Sequence, residues 1–194
     1  MKDIIVFQKA IREDLFKELK DEICSDGFPW FYSGTTLGSK TEVDDKFNYS
    51  FFHNAFFHDD GYSEIGRKLE YAILDALKYM NIPITKMLRI RLGLITVTEN
   101  TVIHPPHIDY PFEHKTGLLY INDSDGDTIL YQDRYDVTMD KTDYDYEVRN
   151  KQRETITTFT PEENKLVLFD GLLYHSSSSP TTTDRRIVVN FNYT

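Results

Sequence analysis

From residue 84 onward the chain is a succession of short β-prone runs, MLRIRLGLITVT, TGLLYIN, TILYQ, ETITTFT, KLVLF and RRIVVNFNY, separated by turn residues. Runs of this length and spacing cannot span far before reversing, so they read as antiparallel strands of a closed or double-layered sheet. Two helices precede them. Ile11, Leu15, Phe16, Leu19 and Ile23 recur at helical spacing, with Gly27 placed to end the helix. Ile65, Leu69, Ala72, Ile73, Ala76, Leu77 and Met80 form a second stripe, opened by Ser63 as N-cap and stopped before Pro83. Both stripes need a surface to cover, and one face of the sheet is the obvious one. Between the helices, residues 28 to 61 are dense in rings without a clean period, which reads as loops or short strands packed by Phe28, Trp30, Phe31, Phe51 and their neighbours. No repeat or linker divides the chain. The expected organisation is one mainly β domain over 1–194, with a helical and aromatic part at 1–83 and a β core at 84–194.

At 194 residues such a domain buries roughly 70% of the surface its unfolded chain exposes, so it needs no staple. The single cysteine, Cys24, allows no internal disulfide and no thiolate zinc site, which points to a reducing, cytoplasmic setting. No run approaches the ~18 apolar residues of a membrane span. A formal charge of −10 with no cluster of Lys and Arg argues against nucleic acid as a partner. Acid is concentrated in residues 123 to 154, where ten acids face five bases. That segment reads as a long hairpin or flap, mobile over 133 to 150, and its acidic rim would suit a cationic or neutral partner. Asp123, Asp125 and Asp127 resemble the start of a calcium loop, but Gly126 is out of place and no bidentate Glu follows at the right distance.

The chemistry lies in VIHPPHIDYP and LFDGLLYHSSSSP. On an extended segment, residues i and i+2 project from one face, so His107 and Asp109 can aim an imidazole and a carboxylate at one point. His175 closes a run that reads as a buried strand turning at Gly171, from which a third donor reaches the same point. Two His and one carboxylate leave three positions of an octahedron open, an arrangement suited to iron(II) that binds a cosubstrate and O2 together. Ten residues after His175 comes Arg185, followed by Arg186. A guanidinium on a strand beside a metal can grip the far carboxylate of a dicarboxylic acid. Neighbours on a strand face opposite ways, so only one of the two arginines can point inward. Arg185 brings Ile187, Val189 and Phe191 with it, a better core than the Val188, Asn190 and Asn192 that accompany Arg186.

Taken together these residues resemble the 2-oxoglutarate and iron(II)-dependent oxygenases, particularly the prolyl 4-hydroxylase-like group, over residues 88 to 193. The resemblance rests on His107-x-Asp109, on His175 in LVLFDGLLYH, on Arg185 and on LLYINDSDGDTILY, which is similar to a hairpin of that group. It implies a double-stranded β-helix (jelly-roll) core buttressed by the two helices. The implied metal ligands are His107, Asp109 and His175, with iron(II) and 2-oxoglutarate as metal and cosubstrate. It also implies that Arg185 anchors 2-oxoglutarate, with Tyr120 and Leu118 beside it, and that the acceptor is a peptide, protein or small molecule. The sequence departs from the group where a Gly-Gly pair is reduced to Gly126 with Asp127, and where Thr181 follows Pro180. The rival readings are a cupin-like binding barrel without chemistry and an isomerase using its metal as a Lewis acid. Of the other histidines, His104 is a weak candidate for a fourth donor. His53, His58 and His114 read as surface or pocket positions. Arg89 and Arg91 share a strand face that either lines the cleft or pairs with acids in solvent.

Overall fold

The computed structural model describes residues 4–34, 49–57 and 61–194. His58 lies outside them. In chain order the elements are β1 (Ile5–Phe7), α1 (Glu13–Ile23), β2 (Phe31–Ser33), β3 (Ser50–Phe57), β4 (Gly61–Tyr62), α2 (Gly66–Tyr79), β5 (Met87–Thr96), β6 (Lys115–Tyr120), β7 (Thr128–Arg134), α3 (Lys141–Asn150), β8 (Thr155–Phe159), β9 (Leu166–Asp170), β10 (Leu173–Ser177) and β11 (Arg185–Tyr193). The strands form two antiparallel sheets. The larger runs β1-β9-β6-β11-β5-β3-β2 with β4 added to β3, and the smaller is β10-β7-β8. The region after residue 84 thus supplies the whole small sheet and the centre of the large one. The aromatic stretch adds β2 and the eight-residue β3 to one edge. No helix among the described residues is long and apolar enough to cross a membrane.

Three clusters of buried side chains account for the layers. Between the sheets lie Leu118 and Tyr120 of β6, Val188 of β11, Leu130 of β7, Phe159 of β8 and Leu173 of β10. On the outer face of the large sheet, Ile90, Leu92, Ile187, Val189 and Phe191 meet Phe16, Leu19 and Ile23 of α1 and Leu69, Ile73 and Leu77 of α2. Each large side chain buried there contributes about 1.5–3 kcal/mol relative to exposure, so the helices are held by their stripes rather than by their ends. Their ends differ from expectation. α1 stops at Ile23 with Cys24 as C-cap, well before Gly27. α2 opens at Gly66 without a side-chain cap, because the Ser63 hydroxyl is bonded to His53 Nε2 at 2.7 Å. It closes at Tyr79, where Asn81 takes a left-handed φ of 56° ahead of Pro83.

The third cluster corrects the reading of residues 123 to 154 as one long hairpin. β7 ends at Arg134 and the chain enters α3 before returning as β8. Tyr135, Tyr144 and Val148 pack there against Leu172 and Tyr174 on the far side of the small sheet. Tyrosines are the reason a charged segment folds onto the body: Tyr144 stacks on Tyr174 with ring centroids 6.2 Å apart and meets Tyr135 edge-on at 5.6 Å.

The second correction concerns β11. Its inward face carries Arg186, Val188, Asn190 and Asn192, while Ile187, Val189 and Phe191 lie outward in the helix-covered core. The more apolar face of the strand packs against α1 and α2, and the polar alternation looks between the sheets. Phe191 is fully buried and its ring lies over Gly117 of β6; a Cβ at Gly117 would fall 2.1 Å from the ring. Gly117→Ala therefore forces a buried ring to shift, and chemical denaturation should show a loss of about 1–3 kcal/mol with no loss of strand content by circular dichroism. An unchanged midpoint would mean that β6 and β11 are not so tightly apposed.

Candidate metal and cosubstrate site

His107 and His175 are locked together by their backbones. The two residues form an isolated antiparallel bridge in which each N–H donates to the other's carbonyl at 2.9 Å, joining the segment before β6 to β10. Their rings consequently lie close, with centroids 4.6 Å apart. Asp109, two residues on, reaches the same point: one donor atom from each of His107, Asp109 and His175 lies within 4.8 Å of the others. Each imidazole is oriented by its own chain. His107 Nδ1 lies 3.2 Å from the Pro105 carbonyl and His175 Nδ1 3.2 Å from the Leu173 carbonyl. A carbonyl only accepts, so Nδ1 carries the proton in both and the Nε2 lone pairs are left for the cluster. His175 Nε2 is buried without a hydrogen-bond partner, 3.9 Å from Asp109 Oδ2. A buried, unpaired imidazole nitrogen facing a carboxylate is costly unless something occupies the space between them. A cation with N and O ligands fits it.

Asp109 is held by side chains from β5 and β11. Arg89 of β5 donates to Oδ1 at 2.6 Å, Asn192 donates to Oδ2 at 2.8 Å, and Asn190 reaches both oxygens at 3.2–3.3 Å. Burial on its own would raise this carboxyl, but the Arg89 guanidinium beside it and the hydrogen bond from Asn192 hold it well below the usual carboxylate range. His107 is pushed down to about 3, first by burial and then by the adjoining His175, so its ring is neutral and available as a ligand. Ile108, between the two donors, gives its N–H to the Tyr144 hydroxyl at 3.2 Å, which ties α3 to the donor segment.

The cluster opens into a pocket between the sheets, lined also by Arg89, Arg91, Leu118, Thr128, Arg186 and Val188. Arg186 lies in it and Arg185 does not. Arg185 is exposed, against the expectation from the family spacing and from the apolar companions of an inward Arg185. Arg186 is 3% exposed, donates from Nε to the Gly126 carbonyl at 2.9 Å and from Nη2 to Thr128 Oγ1 at 2.7 Å, and forms no ion pair among the described residues. Gly126 is what lets the guanidinium lie so close, since a Cβ there would meet the Ser178 carbonyl at 2.7 Å and Arg186 Cδ at 3.1 Å. Burial lowers the Arg186 pKa and the nearby Tyr120 only partly offsets this. A desolvated guanidinium with three N–H donors unspent is suited to a carboxylate.

Leu118 lines the pocket. Tyr120 stands one step back, donating its hydroxyl to Thr128 Oγ1 at 2.8 Å, so Thr128 is the hydroxyl that faces the pocket. His104 is buried against Ser177 Oγ at 2.9 Å and lies outside the cluster. His114 sits beside its own Phe112 carbonyl at 2.7 Å, and His53 bridges Pro29 O and Ser63 Oγ. Asp125, rather than joining a cation loop, accepts from the backbone and hydroxyls of Thr181 and Thr183, which fixes the turn that leads into β11. Sequence reasoning missed Thr128, Gly126, Asn190 and Asn192. The signal for the asparagines was present, as polar residues at every second position of an otherwise apolar strand.

No family model matches the sequence, and no curated protein matches it in sequence. Solved structures do match its fold. A prolyl hydroxylase from Trichoplax adhaerens, in complex with a peptide of the hypoxia inducible factor oxygen degradation domain, superposes with a TM-score of 0.60 at 12% identity, covering 100% of this chain and 84% of that one. The non-haem α-ketoglutarate-dependent epimerase SnoN from nogalamycin biosynthesis gives 0.62 at 12%, covering 100% and 78%. HygX from Streptomyces hygroscopicus, with nickel and 2-oxoglutarate bound, gives 0.61 at 11%, covering 99% and 82%. The chain has the fold of the 2-oxoglutarate and iron(II)-dependent oxygenases.

If the three donors form one site, no donor is spare. His107→Ala, Asp109→Ala and His175→Ala should each abolish stoichiometric iron(II) or cobalt(II) binding in anaerobic calorimetry while leaving the circular dichroism of the fold in place. Full metal binding by any one variant would remove that residue from the site.

Proposed function

We propose that this chain is a non-haem iron(II) and 2-oxoglutarate-dependent dioxygenase, a single cytoplasmic domain with a double-stranded β-helix core. In this reading it hydroxylates a side chain of a peptide or protein, with the release of succinate and CO2. The observation that carries the reading is the convergence of a His107, Asp109 and His175 cluster and a buried, ion-pair-free Arg186 on one pocket. A binding barrel has no use for a desolvated carboxylate anchor beside an open metal. An acceptor that is a small molecule is the second reading, favoured by the likeness to an epimerase of antibiotic biosynthesis; the likeness to a peptide-bound prolyl hydroxylase favours the first.

His107 and His175 would hold the metal through Nε2, their rings fixed by the Pro105 and Leu173 carbonyls. Asp109 would contribute Oδ2, the oxygen nearer His175, while Arg89 engages Oδ1 and keeps the group ionised. Iron(II) bound there supplies the activation of O2 that is coupled to oxidative decarboxylation of 2-oxoglutarate. Arg186 receives the far carboxylate of the cosubstrate, Thr128 adds a hydroxyl beside it, and Leu118 and Val188 form the apolar wall along its methylenes. Water is kept from the guanidinium by its burial, which makes the charge pair stronger than it would be in solvent.

Succinate release from 2-oxoglutarate by the iron-loaded protein under O2 tests the reading. The expected result is iron-dependent succinate without any acceptor, at a slow rate; none with iron, ascorbate and 2-oxoglutarate present would favour the binding barrel or the isomerase. Arg186 sharpens the test. Removing one partner of a buried charge pair costs about 3–5 kcal/mol, so Arg186→Gln should weaken 2-oxoglutarate binding roughly a hundred- to several-thousand-fold, and Arg185→Gln should leave it within about twofold. The reverse order would return the anchor to Arg185.

A further inference from the structure

The walls of the pocket carry more positive charge than an oxygenase site of this composition needs. Among the described residues that line it, Asp109 is the only acid, against the guanidinium groups of Arg89, Arg91 and Arg186. Arg89 is spent on Asp109 at 2.6 Å. On the reading above, the far carboxylate of the cosubstrate engages Arg186, and because a divalent metal and a dicarboxylate cancel in charge the pocket stays net positive. Arg91 is then left over.

Arg91 is two residues from Arg89 on β5, so the two share the inward face of that strand. It is half-buried and lies at the β3 side of the pocket, with its guanidinium carbon 4.7 Å from the centre of the Phe52 ring. Stacking on an aromatic face orients the guanidinium plane but leaves its N–H edge unused. The Arg91 side chain makes no hydrogen bond and no ion pair with any described residue; Arg89 stands beside it as a like charge, and Asp109, engaged by Arg89, offsets that only in part. A half-desolvated cation next to another cation, with its donor edge unspent, is unfavourable unless an anion arrives.

We propose that Arg91 is the recognition residue for the acceptor, and that the acceptor carries a carboxylate, which Arg91 holds at the β3 side of the pocket while the carbon to be oxidised lies toward the His107, Asp109 and His175 cluster. This rests on the oxygenase reading and names its substrate class. It departs from the expectation of a cationic or neutral partner drawn from the acidic segment 123–154, since that segment contributes Thr128 and none of its acids to the lining of the pocket. Arg91 acts on the acceptor alone, so its loss should leave the cosubstrate untouched.

The test uses matched probes that differ only in charge, titrated by calorimetry into the full chain loaded with iron(II) and 2-oxoglutarate without O2. Benzoate against benzamide represents a small acid, and an N-acetyl-aspartyl dipeptide amide against its asparaginyl counterpart represents an acidic peptide. At least one carboxylate probe should bind about ten- to a hundredfold more tightly than its amide, the range of a hydrogen bond to a charged group. The pair that shows it tells a small acid from a peptide. In Arg91→Gln the preference should vanish while 2-oxoglutarate affinity stays within about twofold, which also shows that the variant is folded. Arg91→Lys, which keeps the charge but not the fork, should restore part of it. Equal binding of acid and amide by the unmodified protein, or a preference that survives Arg91→Gln, overturns the assignment. If the protein does not bind 2-oxoglutarate at all, the oxygenase reading fails by itself. The same probe pairs titrated with metal alone then still decide whether Arg91 selects a carboxylate.

Discussion

β11 is covered on both faces, and the positions of most other elements follow from that. It pairs with β5 on one side and β6 on the other, so none of its backbone groups faces solvent for most of its length. A strand in that position must satisfy two environments at alternate residues. Outward, Ile187, Val189, Phe191 and Tyr193 supply the surface that α1 and α2 cover; inward, Arg186, Asn190 and Asn192 supply the polar wall of the pocket. The register fixes both at once, because a slip of one residue would exchange every side chain between the helix interface and the site. The Asp125 carboxylate, clamped on Thr181 and Thr183 just ahead of the strand, and Gly126, which admits the Arg186 side chain, set that register from the β6–β7 connection.

The site built on this strand is a balance of desolvated charges. Asp109 stays ionised because Arg89, Asn190 and Asn192 reach it directly, and the His107 imidazole stays neutral because burial disfavours its charged form. Arg186 is kept between a carbonyl, a hydroxyl and an aromatic ring, with no ion pair among the described residues and only the more distant Asp127 acting on its charge. Such groups raise the free energy of the ligand-free protein, and a metal and a dicarboxylate bound there would relieve it. On that reading affinity would come from costs already met during folding, the sense in which a site is preorganised.

Much of this was legible in the residues. The short β-prone runs identified the two-sheet core, the stripes located α1 and α2 to within a few residues, and the spacing of His107, Asp109 and His175 selected the three side chains that the structure brings together. The choice between Arg185 and Arg186 failed for a physical reason. Strand alternation correctly said that one points in, but the apolar set was taken as the interior, whereas here the apolar face belongs to the helix interface and the polar one to the site. A β11 covered on one face only would have obeyed the simpler rule. α3 was hidden because its hold on the body comes from Tyr144 and Val148 meeting residues distant in sequence, Leu172 and Tyr174, rather than from an apolar stripe. The support of Asp109 by Arg89 and Asn192 was equally out of reach, since it joins positions 20 and 83 residues away.

The decisive measurement is a crystal structure of the protein loaded anaerobically with iron(II) and 2-oxoglutarate, with anomalous data collected at the iron edge. One strong anomalous peak should lie between the Nε2 atoms of His107 and His175 and the carboxylate of Asp109, with the far carboxylate of 2-oxoglutarate on Arg186 and Thr128. An iron peak elsewhere, or a cosubstrate carboxylate held by another residue while Arg186 keeps only its bonds to Gly126 and Thr128, would contradict this assignment.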